Sequence, residues 1–437
     1  MSVVTGNRYL ESLLAGRPQP PAAFSSSALA WLNELRADAV ERVGALTVPT
    51  TRDEEWRFTD ISPLTKIPFQ PLSSAAPLMP ADFEGHVIPE AAACLVFVDG
   101  VYAPQFSFNK SGVVVENLAA APGTHGATLE PHLGRHAEYR NNAFAALNTA
   151  FLHDGALIVM PRDTKVEAPL HLMFIATQEQ TANYPRCLVV AGAGSAATVI
   201  EDYVSAHGGV HFTNAVSEIA LAEGAHVKHV RVQRESQQAF HVAHCAVSLA
   251  RASTFHSVGV ALGARLSRYN LNVLQAGEGT ACTIDGLALI GGQQLADTHS
   301  AIDHAHPHGM SRQLHKCIVG GAAHAVFNGK IVVRPGAQLT DSAQSSRNLL
   351  LTGKAHVDTK PQLEIFADDV KCSHGATVGQ LDAEEVFYLK SRGLSEAAAR
   401  NLLTYAFGAE IIARIPVATL RQRLERAVLQ QTQETGP

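Results

Sequence analysis

The sequence predicts a mainly β protein whose strands wind into stacked coils, with helices at both ends of the chain. From about residue 91 to 378, short apolar runs such as 95–98 and 187–190 are divided by glycine-containing corners, and no long helical pattern appears. A glycine-led strand pattern recurs there, with copies at Gly321, Gly336 and Gly353 spaced 15 and 17 residues apart. Because βαβ units would need crossover helices, this pattern favours a β-helix or β-roll, and a β-sandwich is the alternative.

Helical segments are predicted on both sides of this core. Residues 1–90 are expected to be a helical region and linker, since apolar residues recur near helical spacing over 8–46. Residues 379–437 are expected to be a C-terminal helical domain: Asp382 with Glu385 forms a capping box, Ser395 caps a second helix, and Pro416 precedes a third. Such a domain can cover the end of a β-stack, whose edges would otherwise stay open.

Composition limits the possible partners and compartments. The formal net charge is −6 and no long basic cluster occurs, so neither nucleic acid nor a membrane is an expected partner. The six cysteines are scattered without a C-x-x-C pair, which indicates a reducing compartment. The amino terminus lacks a signal-peptide pattern and no apolar run reaches about 18 residues, so the expected location is the cytoplasm.

The candidate site lies near the end of the predicted core. Cys372 and His374 are two residues apart in a strand-like run, so their side chains share a face. Lys371 would favour the thiolate of Cys372, whereas Asp368 and Asp369 would oppose it. Two ligands cannot close a tetrahedral site, so the pair suggests half of a metal site that distant residues or another protein complete. The alternative is a buried structural cysteine beside a surface histidine.

A second histidine group supports a competing hypothesis. His299, His304, His306 and His308 are close in sequence and suggest a self-contained β-helix metalloenzyme, although no carboxylate follows at cupin-like spacing. Other enzyme signatures are weak. The pair at residues 329–330 lacks the Ser or Thr that completes a P-loop, so no nucleotide site is predicted. Nor does an oxyanion motif accompany Cys372 and His374 for a hydrolase or acyl transferase.

Several segments resemble one protein family. Residues 358–377 resemble the hallmark segment of the SufB/SufD family of iron–sulfur cluster assembly scaffolds, and residues 53–64 are similar to the amino-terminal signature of its SufD branch. Residues 269–274, 326–331 and 346–351 also look like family segments. The first cysteine is Cys94, whereas the SufB branch tends to carry clustered cysteines early. The resemblance covers most of the chain beyond about residue 50.

The resemblance implies both a fold and a role. It implies a right-handed parallel β-helix over residues 91–378 and a non-catalytic scaffold subunit that binds no nucleotide itself. It also implies a SufB-like paralogue paired through the end of the β-helix, and an ABC-type ATPase, SufC, docked on residues 379–437. A transient iron–sulfur cluster would be shared with SufB, with His374 as the first choice for a ligand and Cys372 as the second.

Overall fold

The computed structural model describes residues 3–17, 29–72, 77–79 and 82–435. The α-helices in these ranges are α1 (Val3–Ala15), α2 (Ala30–Ala45), α3 (Pro122–Leu129), α4 (Ala143–Ala150), α5 (Ala383–Ser391), α6 (Glu396–Ile412) and α7 (Ala418–Thr435). Short strands precede and begin the coiled core: β1 (Gln70–Pro71), β2 (Ala93–Val98), β3 (Val101–Tyr102), β4 (Phe108–Asn109), β5 (Val114–Asn117), β6 (Ala156–Met160), β7 (Leu170–Ala176), β8 (Thr181–Asn183) and β9 (Arg186–Ala191). Longer strands follow: β10 (Ala196–Ser205), β11 (Phe212–Leu221), β12 (His226–Arg234), β13 (Phe240–Leu249), β14 (Thr254–Ala261), β15 (Leu266–Gln275), β16 (Ala281–Ile290), β17 (Leu295–His304), β18 (Met310–Val319), β19 (His324–Val333), β20 (Thr340–Leu350), β21 (His356–Ile365) and β22 (Val370–Gly379).

The strands form a parallel β-solenoid made of two sheets. The first sheet contains the odd-numbered strands from β9 to β21, and the second contains the even-numbered strands from β10 to β22. Each strand pairs in parallel with the strand two positions along the chain, so two strands and two corners complete one coil. The prediction of a mainly β protein with stacked parallel coils between helical ends is confirmed, and the sandwich alternative is wrong.

The glycine repeat of the sequence corresponds to half a coil. The strand partners Ala196, His226, Thr254 and Ala281 are separated by 30, 28 and 27 residues, about twice the 15 and 17 residues between the glycine copies. Glycines occupy the corners for a steric reason that Gly321 illustrates. Its φ is +61°, and an added Cβ would lie 2.7 Å from the backbone nitrogen of the corner in the preceding coil.

One inward-facing ladder of apolar side chains runs along the first sheet. Its members are paired in register from coil to coil: Val189, Ile219, Val247, Val273, Ile302, Ile331 and Leu363. All but Leu363 are almost completely buried. At roughly 1.5–3 kcal/mol for each fully buried aliphatic side chain, this ladder stabilises the stacking of the coils, because each side chain fills the space beneath the one before it.

Helices cover the outer faces of both sheets. Helices α1, α2 and α4 pack in one apolar cluster with first-sheet residues such as Leu188 and Val216. Helices α6 and α7 pack through Ile411, Leu420 and their neighbours against the second sheet. The C-terminal helices therefore cover a side of the solenoid and not its end, as the sequence had suggested that they could. None of the described helices combines the length and the apolar composition that crossing a bilayer requires.

The predicted punctuation of the C-terminal helices is largely present. The carboxylate of Asp382 accepts a hydrogen bond from the backbone N–H of Glu384 at 2.7 Å, and the hydroxyl of Ser395 accepts one from Ala398 at 3.2 Å. Gly393, with φ of +96°, lies between α5 and α6. At the other end, α2 begins after Leu29.

Candidate functional site

The last strand of the solenoid carries the predicted site. Strand β22 ends the second sheet and pairs in parallel with β20 on one side. No described strand pairs with its other edge, and most of its residues are exposed. Its backbone N–H and C=O groups on that edge therefore remain available for pairing with another chain.

Cys372 and His374 lie on the inward face of β22. Cys372 pairs with Ser342 and His374 pairs with Gln344, and both partners are buried in the solenoid interior. Cys372 also packs against an interior apolar cluster that includes Ile331. His374 is exposed although it points inward, because β22 belongs to the last coil and nothing in the described chain stacks beneath it. The predicted shared face therefore opens at the end of the solenoid.

The thiol of Cys372 is held in its protonated form. Partial burial raises its pKa, and the carboxylate of Asp341 on β20 acts in the same direction. The opposing charge thus comes from Asp341 and not, as predicted from the sequence, from Asp368 and Asp369. The hydrogen bond from Arg312 chiefly lowers the pKa of the Asp341 carboxyl, and Lys371, which pairs with Asp341 across the strands, adds to this effect, so the charge of Lys371 acts on the outer face. Coordination of a metal by Cys372 would therefore have to displace a proton.

Two ladders of polar side chains lie on the inward face of the second sheet above the pair, and one of them reaches Ser300 on β17 of the first sheet. The amide of Gln344 donates to Gln313 at 2.8 Å, and the amide of Gln313 donates to the hydroxyl of Ser300 at 2.7 Å. In the adjacent ladder Ser311 is 2.7 Å from Ser342. The register continues from Gln344 to His374 and from Ser342 to Cys372. On the second sheet, the last coils thus carry hydrogen-bonded polar groups that lead to the candidate site, while the first sheet keeps its apolar ladder.

This polar interior was not predicted. From the sequence alone, the polar residues Ser342, Gln344 and Ser346 at alternate positions on β20 predict the solvent-facing side of a strand. The polar interior follows from the register, because the strand one coil earlier places Ser311 opposite Ser342 and Gln313 opposite Gln344. In a solenoid, positions that match from coil to coil face the same way.

The structure separates the four histidines of the competing hypothesis. His304 faces inward, where its Nε2 lies 3.0 Å from the hydroxyl of Ser311 and burial lowers its pKa to about 4. His299 faces outward, five residues earlier on the same strand. His306 and His308 lie in the exposed corner after β17. The interpretation of residues 299–308 as one metal centre is therefore wrong, since an odd spacing places strand residues on opposite faces.

His299 instead anchors the segment around residue 55 to the first sheet. Its ring nitrogens lie 3.2 Å from Glu55 and 3.1 Å from Asp297. Burial alone would lower the pKa of His299, but these two carboxylates raise it. Next to it, the guanidinium of Arg268 lies 4.0 Å from the ring centroid of Trp56. A polar cavity of about 450 Å³ lies beside these contacts.

Two exposed apolar surfaces lie near the candidate site. The end surface consists of residues around the last coil: Leu339, Ile365, Phe366 and Val378. The helix surface consists of Phe387 and Tyr388 on α5 and Leu402 on α6. Phe366 is 62% exposed and Phe387 is 72% exposed. Contiguous apolar patches on a surface are common sites of contact with another protein.

Comparisons with known proteins match nearly the whole chain. The model of the SufBD protein N-terminal region matches residues 19–172, and that of the SUF system FeS cluster assembly SufBD core domain matches residues 174–407. An iron–sulfur cluster assembly SufBD family protein of Synechocystis sp. is 41% identical over 407 residues, 90% of this chain and 89% of that protein. The SufD protein of Escherichia coli is 35% identical over 86% of this chain and 88% of its own length, and that of Bacillus subtilis is 26% identical over 90% and 92%.

Proposed function

Because the chain belongs to the SufBD family of iron–sulfur cluster assembly proteins and is SufD-like, we propose that it is a scaffold subunit that holds part of a nascent cluster without turnover of its own. The observation that carries this proposal is the incomplete ligand pair, Cys372 and His374, on the open edge strand of the last coil. A cluster needs more donors than this pair offers. The cluster is the cargo of the scaffold.

The partner that we propose for the end surface is a SufB-like paralogue. A second β-solenoid of the same family would present its own last coil, and two such ends can pair through the free edge of β22. Leu339, Ile365 and Phe366 would be covered in that arrangement. The inward face of β22 would then meet the corresponding face of the partner, so that donors from two chains converge on one cluster.

Within this shared site, His374 is our first choice for a cluster ligand and Cys372 the second. The imidazole of His374 is exposed and needs no rearrangement to reach an incoming metal. The thiol of Cys372 is half-buried and protonated, so it requires both movement and loss of a proton. Cysteine thiolates from the partner would supply most of the remaining donors.

We further propose that the helix surface binds an ABC-type ATPase of the SufC kind. Residues 379–437 form helices that pack on the second sheet while Phe387, Tyr388 and Leu402 remain exposed. A groove of about 290 Å³ separates the end of β22 from α5 and α6. Nucleotide hydrolysis by the docked ATPase would be transmitted through this junction to the last coil, where it would expose or close the cluster ligands.

The test is anaerobic reconstitution of the complex with variants of β22. We expect that His374→Ala lowers the affinity for the cluster by about tenfold, which is the lower end of the loss in affinity that changes around a metal site commonly cause. The complex should stay intact, as judged by size-exclusion chromatography. The readout is iron and acid-labile sulfide per complex. Ser373→Ala is the matched control, since Ser373 is exposed on the opposite face of the same strand.

Unchanged iron and sulfide in both His374→Ala and Cys372→Ser would refute the ligand assignment. If those variants also still bind the partner, the function of the chain would be that of a purely structural scaffold. A native pull-down under anaerobic conditions that recovers neither a SufB-like protein nor an ABC-type ATPase would refute the partner assignment.

A further inference from the structure

A second group of potential metal ligands lies on the outer face of the first sheet. His324 on β19 and His356 on β21 pair directly across the parallel ladder, and Asp358 follows His356 by two residues on the same face. The Nε2 atom of His324 lies 2.8 Å from Oδ2 of Asp358, and that of His356 lies 3.1 Å from the same oxygen. These three residues, all among those that the structure describes, have imidazole and carboxylate ligand atoms that lie within 4.8 Å of one another.

The donor set matches the requirements of a borderline transition metal. Two imidazole nitrogens and one carboxylate oxygen suit zinc, iron(II), cobalt(II) or nickel, whereas magnesium and calcium prefer oxygen donors alone. Metal–ligand distances of about 2.0–2.2 Å place tetrahedral ligands about 3.3 Å apart. The observed separations of 2.8 and 3.1 Å are already close to that value, so small side-chain movements would suffice.

The backbone holds these ligands in position. Register fixes His324 opposite His356, and neighbouring strands in a sheet lie about 4.8 Å apart. Their ring centroids are 4.9 Å apart with the planes inclined by 51°, so both rings turn toward the shared carboxylate. Only these two histidines lie within ion-pair distance of Asp358 among the described residues.

We propose that His324, His356 and Asp358 form a binding site for one divalent first-row transition-metal ion. The side chains of His324 and Asp358 are 26% and 25% exposed, whereas that of His356 is 65% exposed. The protein therefore supplies three ligands from one side and leaves the other coordination positions to water. An open site of this kind exchanges its metal with solvent, unlike a closed four-ligand structural site.

The site is separate from the proposed cluster ligands. Cys372 and His374 lie on the inward face of the second sheet, whereas these three residues lie on the outer face of the first. Zinc bound at the new site would have nitrogen and oxygen ligands only. Zinc bound at Cys372 would show a sulfur ligand at about 2.3 Å.

The experiment is metal titration of the full-length chain without an affinity tag, after removal of metals with a chelator. Cobalt(II) binding is followed by visible absorption, zinc by competition with cobalt, and the zinc ligands by X-ray absorption. His356→Ala and Asp358→Asn are the test variants, because one side chain is largely exposed and the other substitution keeps the shape. His306→Ala is the matched control, since His306 is an exposed histidine in the corner after β17, away from β19 and β21.

We expect one ion per wild-type chain, nitrogen and oxygen ligands without sulfur, and affinity at least about tenfold weaker in both test variants but unchanged in the control. The proposal is overturned if the wild-type chain binds neither cobalt nor zinc, if either test variant binds as tightly as wild type, or if sulfur appears in the ligand shell. These results are independent of cluster assembly, because the titration uses the isolated chain.

Discussion

Substitution of Glu218 by Gln is expected to destabilise the junction between the N-terminal helices and the solenoid. Glu218 on β11 is fully buried and forms an ion pair with the guanidinium of Arg186 on β9. Arg186 also donates to Asn148 and Thr149 on α4 at 3.1 Å. The pair therefore connects two neighbouring strands of the first sheet with the helix that packs on them.

The geometry of Glu218 makes its amide a poor replacement. Oε2 accepts hydrogen bonds from Arg186 and from the backbone N–H of Gly134 at 2.8 Å. Oε1 accepts from the N–H groups of His136 and Ala137 at 2.8 and 3.0 Å. Whichever way the Gln amide is oriented, its NH₂ group faces two donors, and Arg186 loses its counter-charge in a buried site. Breaking one partner of such a pair costs about 3–5 kcal/mol of unfolding free energy.

Urea unfolding followed by circular dichroism measures this effect. With a slope of about 3 kcal/mol per M, the upper range for small proteins, the midpoint should fall by about 1 M or more. The matched control is Glu223→Gln, because Glu223 pairs with Arg251 on the exposed surface and such pairs contribute about 0–1 kcal/mol. A midpoint for Glu218→Gln within error of that of the control would show that the buried pair does not hold the junction.

Three further predictions concern acid stability, backbone packing and docking. Burial would raise the pKa of Glu201, but hydrogen bonding and charge from His229 hold that pKa at about 2, well below the unfolded value of about 4.3. The ionised Glu201 therefore contributes its full stabilisation above pH 4.3, and this contribution is lost as the pH falls toward 2. Equal unfolding free energies at pH 5 and pH 3 would contradict this. Gly155→Ala should lower the free energy of unfolding in urea by roughly 1–3 kcal/mol, because the new methyl carbon would lie 2.2 Å from the carbonyl oxygen of Arg186. The control is Gly44→Ala in α2, where the new methyl group meets no atom within 4 Å and should not lower the free energy of unfolding. Phe387→Ser should leave the unfolding free energy within about 0.5 kcal/mol and abolish capture of the ATPase in pull-down, and capture equal to wild type would exclude the helix surface as the docking site.

Local signals in the sequence were sufficient for the stacked strands, their glycine corners and the starts of α5 and α6, but not for the short helices α3 and α4 within residues 91–378. Asp382 and Ser395 cap their helices because a short polar side chain at that position can reach the free N–H groups of the first turn. The shared face of Cys372 and His374 follows from the period of a strand, whereas its inward direction depends on their pairing with Ser342 and Gln344. The separation of His299 from His304 followed from the same period, since five residues is an odd number, so that error was avoidable.

Other features depend on register, which the sequence alone does not reveal. His324 and Asp358 are 34 residues apart and meet only because one coil places β21 against β19. The polar ladders have the same origin, since Ser311 and Ser342 meet across 31 residues. A shift of a single residue in either pairing would send these side chains to the opposite face. Coil length varies between neighbouring coils, so pattern spacing does not determine which residues are opposed.

The position of the C-terminal helices connects this fold to a role in assembly. If they covered the last coil, β22 would be sealed and Cys372 and His374 would serve only as core residues. They pack instead on the side of the second sheet, where Lys316 forms an ion pair with Glu410 of α6 and donates to the backbone carbonyl of Phe407. The open end then combines an unpaired strand edge, exposed apolar side chains and an unfinished ligand pair. Each of these features is unfavourable or without function in an isolated chain, and the partner that we propose for that end would account for all three.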